Sequence, residues 1–420
     1  MSLILIVADS VRHDALGCTR SSWSSPWKLA ALPATPAVDR LAAEGAVFER
    51  VITAAPWTVP SLAAMLTGVY AHRLGLVKWD QPWPPDHASL FELGRRAGYE
   101  VASFVFDPAH LFSRVPDARV CGSSQDFPAL LRWLDEHRAA PFFLFVHYWW
   151  THIPYLARPM TQPEWRCLSD HVLQGVRASP AARAGVQRLY AHAVECFSEQ
   201  WLPRLLDSTD LDQCWVAITA DHGESWGERS PDSPPTDVFD LHGNTLYEET
   251  LRIPWIVRPP GGMPPRRIAG LVRSVDLMPT LAGLLGWNGE PGEVDRDGVD
   301  LSGVLRGEAA VPTLDAVSVR NHDFLTRPEL PREPRDLYGA FGLTTDRWRQ
   351  IWEPAGNRRL AFDLARDPAE TRDVASSAAP ELERGWERLG EELERARVGE
   401  WPEQYAAELR ARLGSWGYVE

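Results

Sequence analysis

Cysteine is scarce in this chain, and its few copies are scattered. Cys18, Cys121, Cys167, Cys196 and Cys214 are odd in number, and no two lie close together. Neither a disulfide framework nor the paired spacing of a zinc site follows, and reduced thiols in a cytoplasmic protein fit best. Long apolar runs are missing too. The opening run, Leu3-Ile4-Leu5-Ile6-Val7-Ala8, ends at Asp9. It is too short for a membrane span. It also lacks the basic flank and cleavage site of a signal peptide, so it reads as a buried strand. A basic excess is absent as well. The formal net charge of -14 argues against binding nucleic acid through bulk charge. It leaves room for a small anionic substrate, because a bound metal ion reverses the field locally.

What is present is ordinary globular material: 45% hydrophobic and 24% charged residues over 420 positions. That length predicts one large domain and a smaller one. Apolar runs recur and end in reactive side chains. Leu3–Ala8 leads into Asp9, Val101–Phe106 into Asp107, Phe142–Val146 into His147 and His152, and Trp215–Ala220 into Asp221-His222-Gly223-Glu224. Unbroken apolar runs suit strands buried on both faces. Helical patterns separate them over 37–44, 61–66, 90–97, 128–137, 184–206 and 274–285. The alternation predicts an α/β fold with a mostly parallel sheet, whose functional residues gather at the strands' carboxyl ends. After about residue 310 the runs become shorter and more polar. Segments 316–320, 340–344, 348–352 and 359–363 suggest a small antiparallel sheet, and Pro380–Arg397 a charged amphipathic helix. The expected boundaries are 1–312 for a catalytic domain and 313–420 for an α+β subdomain.

Asp9, Asp221 and His222 suit a divalent cation. Singly, an Asp after a strand is usually a turn or cap residue; the argument rests on their joint place at one sheet edge. Thr58 precedes Pro60, which suits the first turn of a helix. It is therefore either a plain helix cap or a hydroxyl activated on the metal as a nucleophile. His152 and His242 are candidate donors to substrate oxygens or a leaving group; His147, Asp14 and Glu224 rank below them, Glu224 as a partner for a neighbouring base. There are 19 Trp. Most read as packing, though Trp57, Trp79, Trp83, Trp149, Trp150 and Trp226 are placed to wall an aromatic or sugar site.

Ordered blocks along nearly the whole chain resemble the sulfatase family of the alkaline-phosphatase superfamily. They are Leu5 to Arg12, Thr35 to Gly45, Ala54-Ala55-Pro56-Trp57-Thr58-Val59-Pro60-Ser61 running to Gly68, Ile218 to Glu224, Leu246 to Pro254, Val275 to Thr280, and Phe362 to Thr371. The resemblance implies an alkaline-phosphatase-like three-layer sandwich. It implies Asp9, Asp221 and His222 as metal ligands, Thr58 at the nucleophile position (and on the metal), and His152 as a substrate contact. The departures bear on the substrate. Sulfatases carry Cys or Ser, oxidised to formylglycine, where this chain has Thr58, and threonine cannot become that aldehyde. Leu62 replaces an arginine, Ser10 stands where many sulfatases have a second Asp, and the family's Gly-Lys-Trp-His block is absent.

A formylglycine hydrate uses its second hydroxyl to expel sulfate. Thr58 has one hydroxyl, whereas a phosphothreonine is released by attack at phosphorus. The expectation is a metal-dependent phosphate ester hydrolase acting on diesters or monoesters through Thr58. Its cofactor would be one divalent ion (Mn, Ca, Mg or Zn), with a second metal drawn from His242, His152 and Asp107 as an option, and no formylglycine. Sulfuric ester hydrolysis or phospho-group transfer is the alternative, and a degenerate anion-binding protein the next. The sequence carries no signature of oligomeric state.

Overall fold

The computed structural model describes residues 1–26, 28–76, 87–105, 120–123, 126–155, 157, 160–174, 179–227, 241–287, 296–321 and 334–397. An eight-stranded sheet forms its centre. It is built from β1 (Ser2–Ala8), β2 (Ala46–Ile52), β3 (Glu100–Val105), β4 (Val120–Ser123), β5 (Phe142–Tyr148), β6 (Cys214–Thr219), β7 (Arg252–Arg258) and β8 (Arg266–Arg273). Their order is β4-β3-β5-β1-β6-β7-β2-β8. Every pairing is parallel except those of β7, which runs against β6 and β2. Every residue of β1 and β5 is buried, as unbroken apolar runs require when both faces are covered.

β9 (Ala316–Asn321), β10 (Tyr338–Thr344), β11 (Trp348–Glu353) and β12 (Arg358–Asp363) make the expected antiparallel sheet, in the order β12-β11-β10-β9. The helix Pro380–Arg395 lays Leu382, Trp386 and Leu389 against it.

Two helices differ from the sequence expectation. The one expected over 184–206 begins at Pro180 and widens into a π-helical turn, Phe197–Trp201, before continuing as Leu202–Asp207. Pro203 supplies no N–H and its ring crowds the preceding turn, so the regular ladder yields there. The helix after the Pro56-Trp57 corner is Thr58–Thr67, with extended Trp57 at its N-cap. Thr58 is therefore the first helical residue, and its hydroxyl does not cap the helix.

Three neighbouring strands position the candidate site. β5 and β6 flank β1, with Val7 level with both His147 and Thr219. The Asp9 amide extends the ladder by donating to the Tyr148 carbonyl at 2.9 Å. His147, Asp9 and Asp221-His222 thus leave the sheet side by side.

Candidate active site

Asp9, Thr58, His147, Asp221 and His222 are all buried. Asp9, Asp221 and His222 each offer a donor atom within 4.8 Å of the others. Thr58 Oγ1 lies 3.4 Å from Asp9 Oδ2 and 3.3 Å from His222 Nε2. The four residues expected around a cation therefore converge.

Local backbone holds them there. Ser10 turns the chain out of β1 with φ 58. Its amide donates to Asp221 Oδ1 at 3.1 Å and its hydroxyl to Asp9 Oδ1 at 2.7 Å. Gly223 passes so close to the backbone of Glu249 that a Cβ would sit 2.0 Å from its carbonyl oxygen. Only glycine fits the Asp-His-Gly turn. His222 Nδ1 donates to the Gly223 carbonyl at 2.8 Å. That fixes the tautomer and aims the Nε2 lone pair into the cluster, the usual arrangement of a ligating imidazole.

The electrostatics ask for positive charge. Burial would raise the Asp9 carboxyl, but His152, His147 and His222 outweigh it and hold Asp9 well below the carboxylate range. Burial and the Asp9 charge push Asp221 up instead. Asp221 Oδ2 has no hydrogen-bond partner although it is buried. Two enclosed acids, one with an orphaned oxygen beside an imidazole lone pair, fit a divalent cation.

A second group of residues borders this cluster. His152 Nδ1 faces the Ile153 carbonyl, and its ring stacks on Trp149 with centroids 3.8 Å apart. Burial pushes His152 down to about 4, against the opposing pull of the Asp9 charge. The His242 ring lies 5.0 Å from that of His152 and 4.6 Å from that of His222. Burial works against charge on His242, but Glu224, 3.0 Å from its Nδ1, more than offsets this and raises it. Glu224 also accepts from the Tyr155 hydroxyl at 3.0 Å, and Trp226 Nε1 donates to that hydroxyl at 3.2 Å.

His147, which the sequence places below His152 and His242 as a candidate, also borders the carboxylates. Its Nε2 is 3.0 Å from Asp9 Oδ2; its place at the end of an apolar strand, like that of Asp9, was the available signal. Tyr155, which the sequence does not single out, reaches this group only through Glu224. Asp14 instead pairs with Arg12 at 2.8 Å, away from the cluster. Trp226 is fully buried packing, while Trp57, Trp149 and Trp150 are partly exposed. Asp107, Trp79 and Trp83 lie outside the described residues.

A mostly parallel sheet with acids and imidazoles gathered at its carboxyl edge, beside a small antiparallel sheet, defines the alkaline-phosphatase-like α/β class. The chain belongs to the sulfatase family: the family model described as Sulfatase matches residues 2–287. The uncharacterized sulfatase YidJ of Escherichia coli is 25% identical over 328 residues, covering 60% of this chain and 62% of that one. The N-acetylglucosamine-6-sulfatase of Bos taurus is 22% identical over 291 residues, covering 59% and 50%. The chain thus spans between half and two thirds of the length of these relatives. Among solved structures, the phosphonate monoester hydrolase of Agrobacterium radiobacter has the same fold, with a TM-score of 0.71 at 19% identity over 96% of this chain and all of that one. Among the described residues no helix is long and apolar enough to cross a membrane.

Proposed function

We propose that the chain is a divalent-metal-dependent hydrolase of small phosphate esters in which Thr58 is the nucleophile. Asp9, Asp221 and His222 hold the ion, and His152 and His242 face the substrate. The observation that carries this is the Thr58 hydroxyl within 3.4 Å of both Asp9 and His222, on a helix it does not cap. The ion supplies charge that favours ionised Thr58 and offsets negative charge on the transferring group. Thr58 Oγ1 then attacks phosphorus in line, the P–O bond to the leaving alcohol breaks, and His242 delivers a proton to that alcohol. Water next attacks the phosphothreonine and gives a proton back to the neutral His242, the P–O bond to Thr58 breaks, and phosphate leaves with Thr58 restored to its starting state. The helix start adds backbone N–H donors for the phosphoryl oxygens.

Sulfatase-family membership and relatives named for sulfate esters support a second reading, sulfuric ester hydrolysis. The single hydroxyl of Thr58 weighs against it. The likeness to phosphonate monoester hydrolases supports phosphorus chemistry in this fold. We read 1–312 as the catalytic domain and 313–420 as its subdomain. The absence of a disulfide among Cys18, Cys167, Cys196 and Cys214 supports a cytoplasmic site.

The test is a panel of aryl phosphodiester, phosphomonoester and sulfate esters. Turnover of a phosphate ester is expected to lead. Chelation should remove it and added divalent ion restore it. Sulfate turnover above every phosphate ester would reverse the order of the two readings.

Glu224→Gln gives a separate check. A raised imidazole is protonated below its folded pKa and loses its proton as pH rises through it. Replacing the carboxylate lowers that value, so the alkaline limb of kcat/KM should move about one unit toward acid. An unmoved limb would remove His242 from the role of proton donor.

A further inference from the structure

Ser10 leaves the acid cluster one carboxylate short of the pattern the chain otherwise follows, and its hydroxyl is engaged with Asp9 Oδ1 at 2.7 Å. A nitrogen stands ready on the same carboxylates. His147 Nε2 is 3.0 Å from Asp9 Oδ2 and 4.0 Å from Asp221 Oδ2, on a fully buried ring. Five donor atoms close a loop: Asp9 Oδ2, Thr58 Oγ1, His222 Nε2, Asp221 Oδ2 and His147 Nε2. Successive separations are 3.4, 3.3, 3.4, 4.0 and 3.0 Å. Two ligands each about 2.1 Å from a shared ion lie about 3.0–3.5 Å apart. Four of the five separations meet that requirement, and the fifth needs a small inward shift of His147 or Asp221.

We propose that His147 is a ligand of the same ion, which gives the site a second imidazole nitrogen and makes it take a first-row transition ion in preference to calcium or magnesium. This rests on the reading of Asp9, Asp221 and His222 as its other ligands. Two imidazoles suit zinc, copper, iron or nickel, whereas calcium and magnesium favour sites made of oxygen alone. The strand pairing gives the ring little freedom, because β5 is hydrogen-bonded to β1 and β3 on its two sides and His147 is level with Val7.

The experiment titrates metal-depleted full-length protein with Zn2+ and with Ca2+, and takes X-ray absorption spectra of the zinc-loaded protein. Zinc is expected to bind at least about 100-fold tighter than calcium. The wild type should show two imidazole ligands and His147→Ala one, with zinc affinity reduced at least about tenfold. His147→Asp should narrow the preference for zinc over calcium. A single imidazole in the wild type, or an unchanged count in a folded His147→Ala protein, overturns the proposal. Should the variants fail to fold, the wild-type count decides alone. Ester turnover enters none of these readouts. Two imidazoles without turnover would sink the hydrolase reading only, and turnover with one imidazole would sink this proposal only.

Discussion

Thr58→Ala should lower turnover by about 10^3-fold or more while the protein stays folded and keeps its ion. The change removes the hydroxyl and one methyl group and leaves the backbone as it is. Trp57, not Thr58, occupies the N-cap, and no capping bond is lost. Alanine is a good helix former, so the stability change should stay within about 1 kcal/mol. Asp9, Asp221 and His222 keep their mutual contacts, so the ion should bind with one oxygen fewer. Thr58→Ser is expected to retain a substantial rate, because it keeps the nucleophilic oxygen and loses a methyl group. Steady-state rates with the best phosphate ester, near-ultraviolet circular dichroism and metal content measured together separate the outcomes. A folded, metal-loaded Ala variant with an unaltered rate would mean that water attacks directly, and the covalent route would be wrong. A wild type that binds phosphate yet turns nothing over would make the chain an anion-binding relative of its enzymes.

Why the site was legible follows from where its residues lie. Asp9 and Asp221 each follow an unbroken apolar strand, and parallel strands with that pattern must share one edge. Convergence could therefore be argued before any distance was known. The antiparallel sheet of β9 to β12 was legible for a similar reason, since short alternating strands separated by turns leave few other arrangements. Other elements carried weaker marks. β2 holds Glu49-Arg50 at its middle, where its pairing with β7 and β8 shifts register. β8 is an edge strand that mixes exposed and buried residues and carries arginine at both ends. β7 contains Pro254, which argues against a central strand. Tertiary contact decides these three, and a single sequence does not display it. The His242–Glu224–Tyr155 chain was hidden in part for the same reason. Glu224 was readable as a partner for a neighbouring base, but not which base it would meet or that Tyr155 would join it, because these residues are separated along the sequence.

Arg349→Ala should destabilise the protein by about 3–5 kcal/mol, although Arg349 is not part of the site. The side chain is fully buried in β11. It donates to Glu248 at 2.8 Å and to the Leu246 carbonyl at 2.9 Å, and lies 3.6 Å from Glu370. Arg252 holds the other oxygen of Glu248 at 2.9 Å, and the Glu248 amide donates to Glu370 at 3.1 Å. Removing the guanidinium leaves two buried carboxylates with one cation fewer, a far larger loss than that of an exposed pair. Burial alone would raise the Glu248 carboxyl, but Arg252, Arg349 and Arg50 more than reverse this and hold it at about 2. A depressed carboxyl contributes stability that is full above its unfolded value, near 4.5, and is lost as pH falls toward about 2. Without Arg349 that depression shrinks, so acid unfolding should begin at higher pH. The consequence reaches Asp221 and His222 through backbone. Glu248 opens the short helix Glu248–Leu251, and the Thr250 carbonyl accepts from the Gly223 amide at 2.9 Å. The antiparallel sheet thereby braces the turn that carries Asp221 and His222. Urea midpoints at pH 7 and at pH 4 for wild type, Arg349→Ala and Arg349→Lys measure the effect. Midpoints that coincide at both pH values would show that the cluster does not join the two sheets energetically.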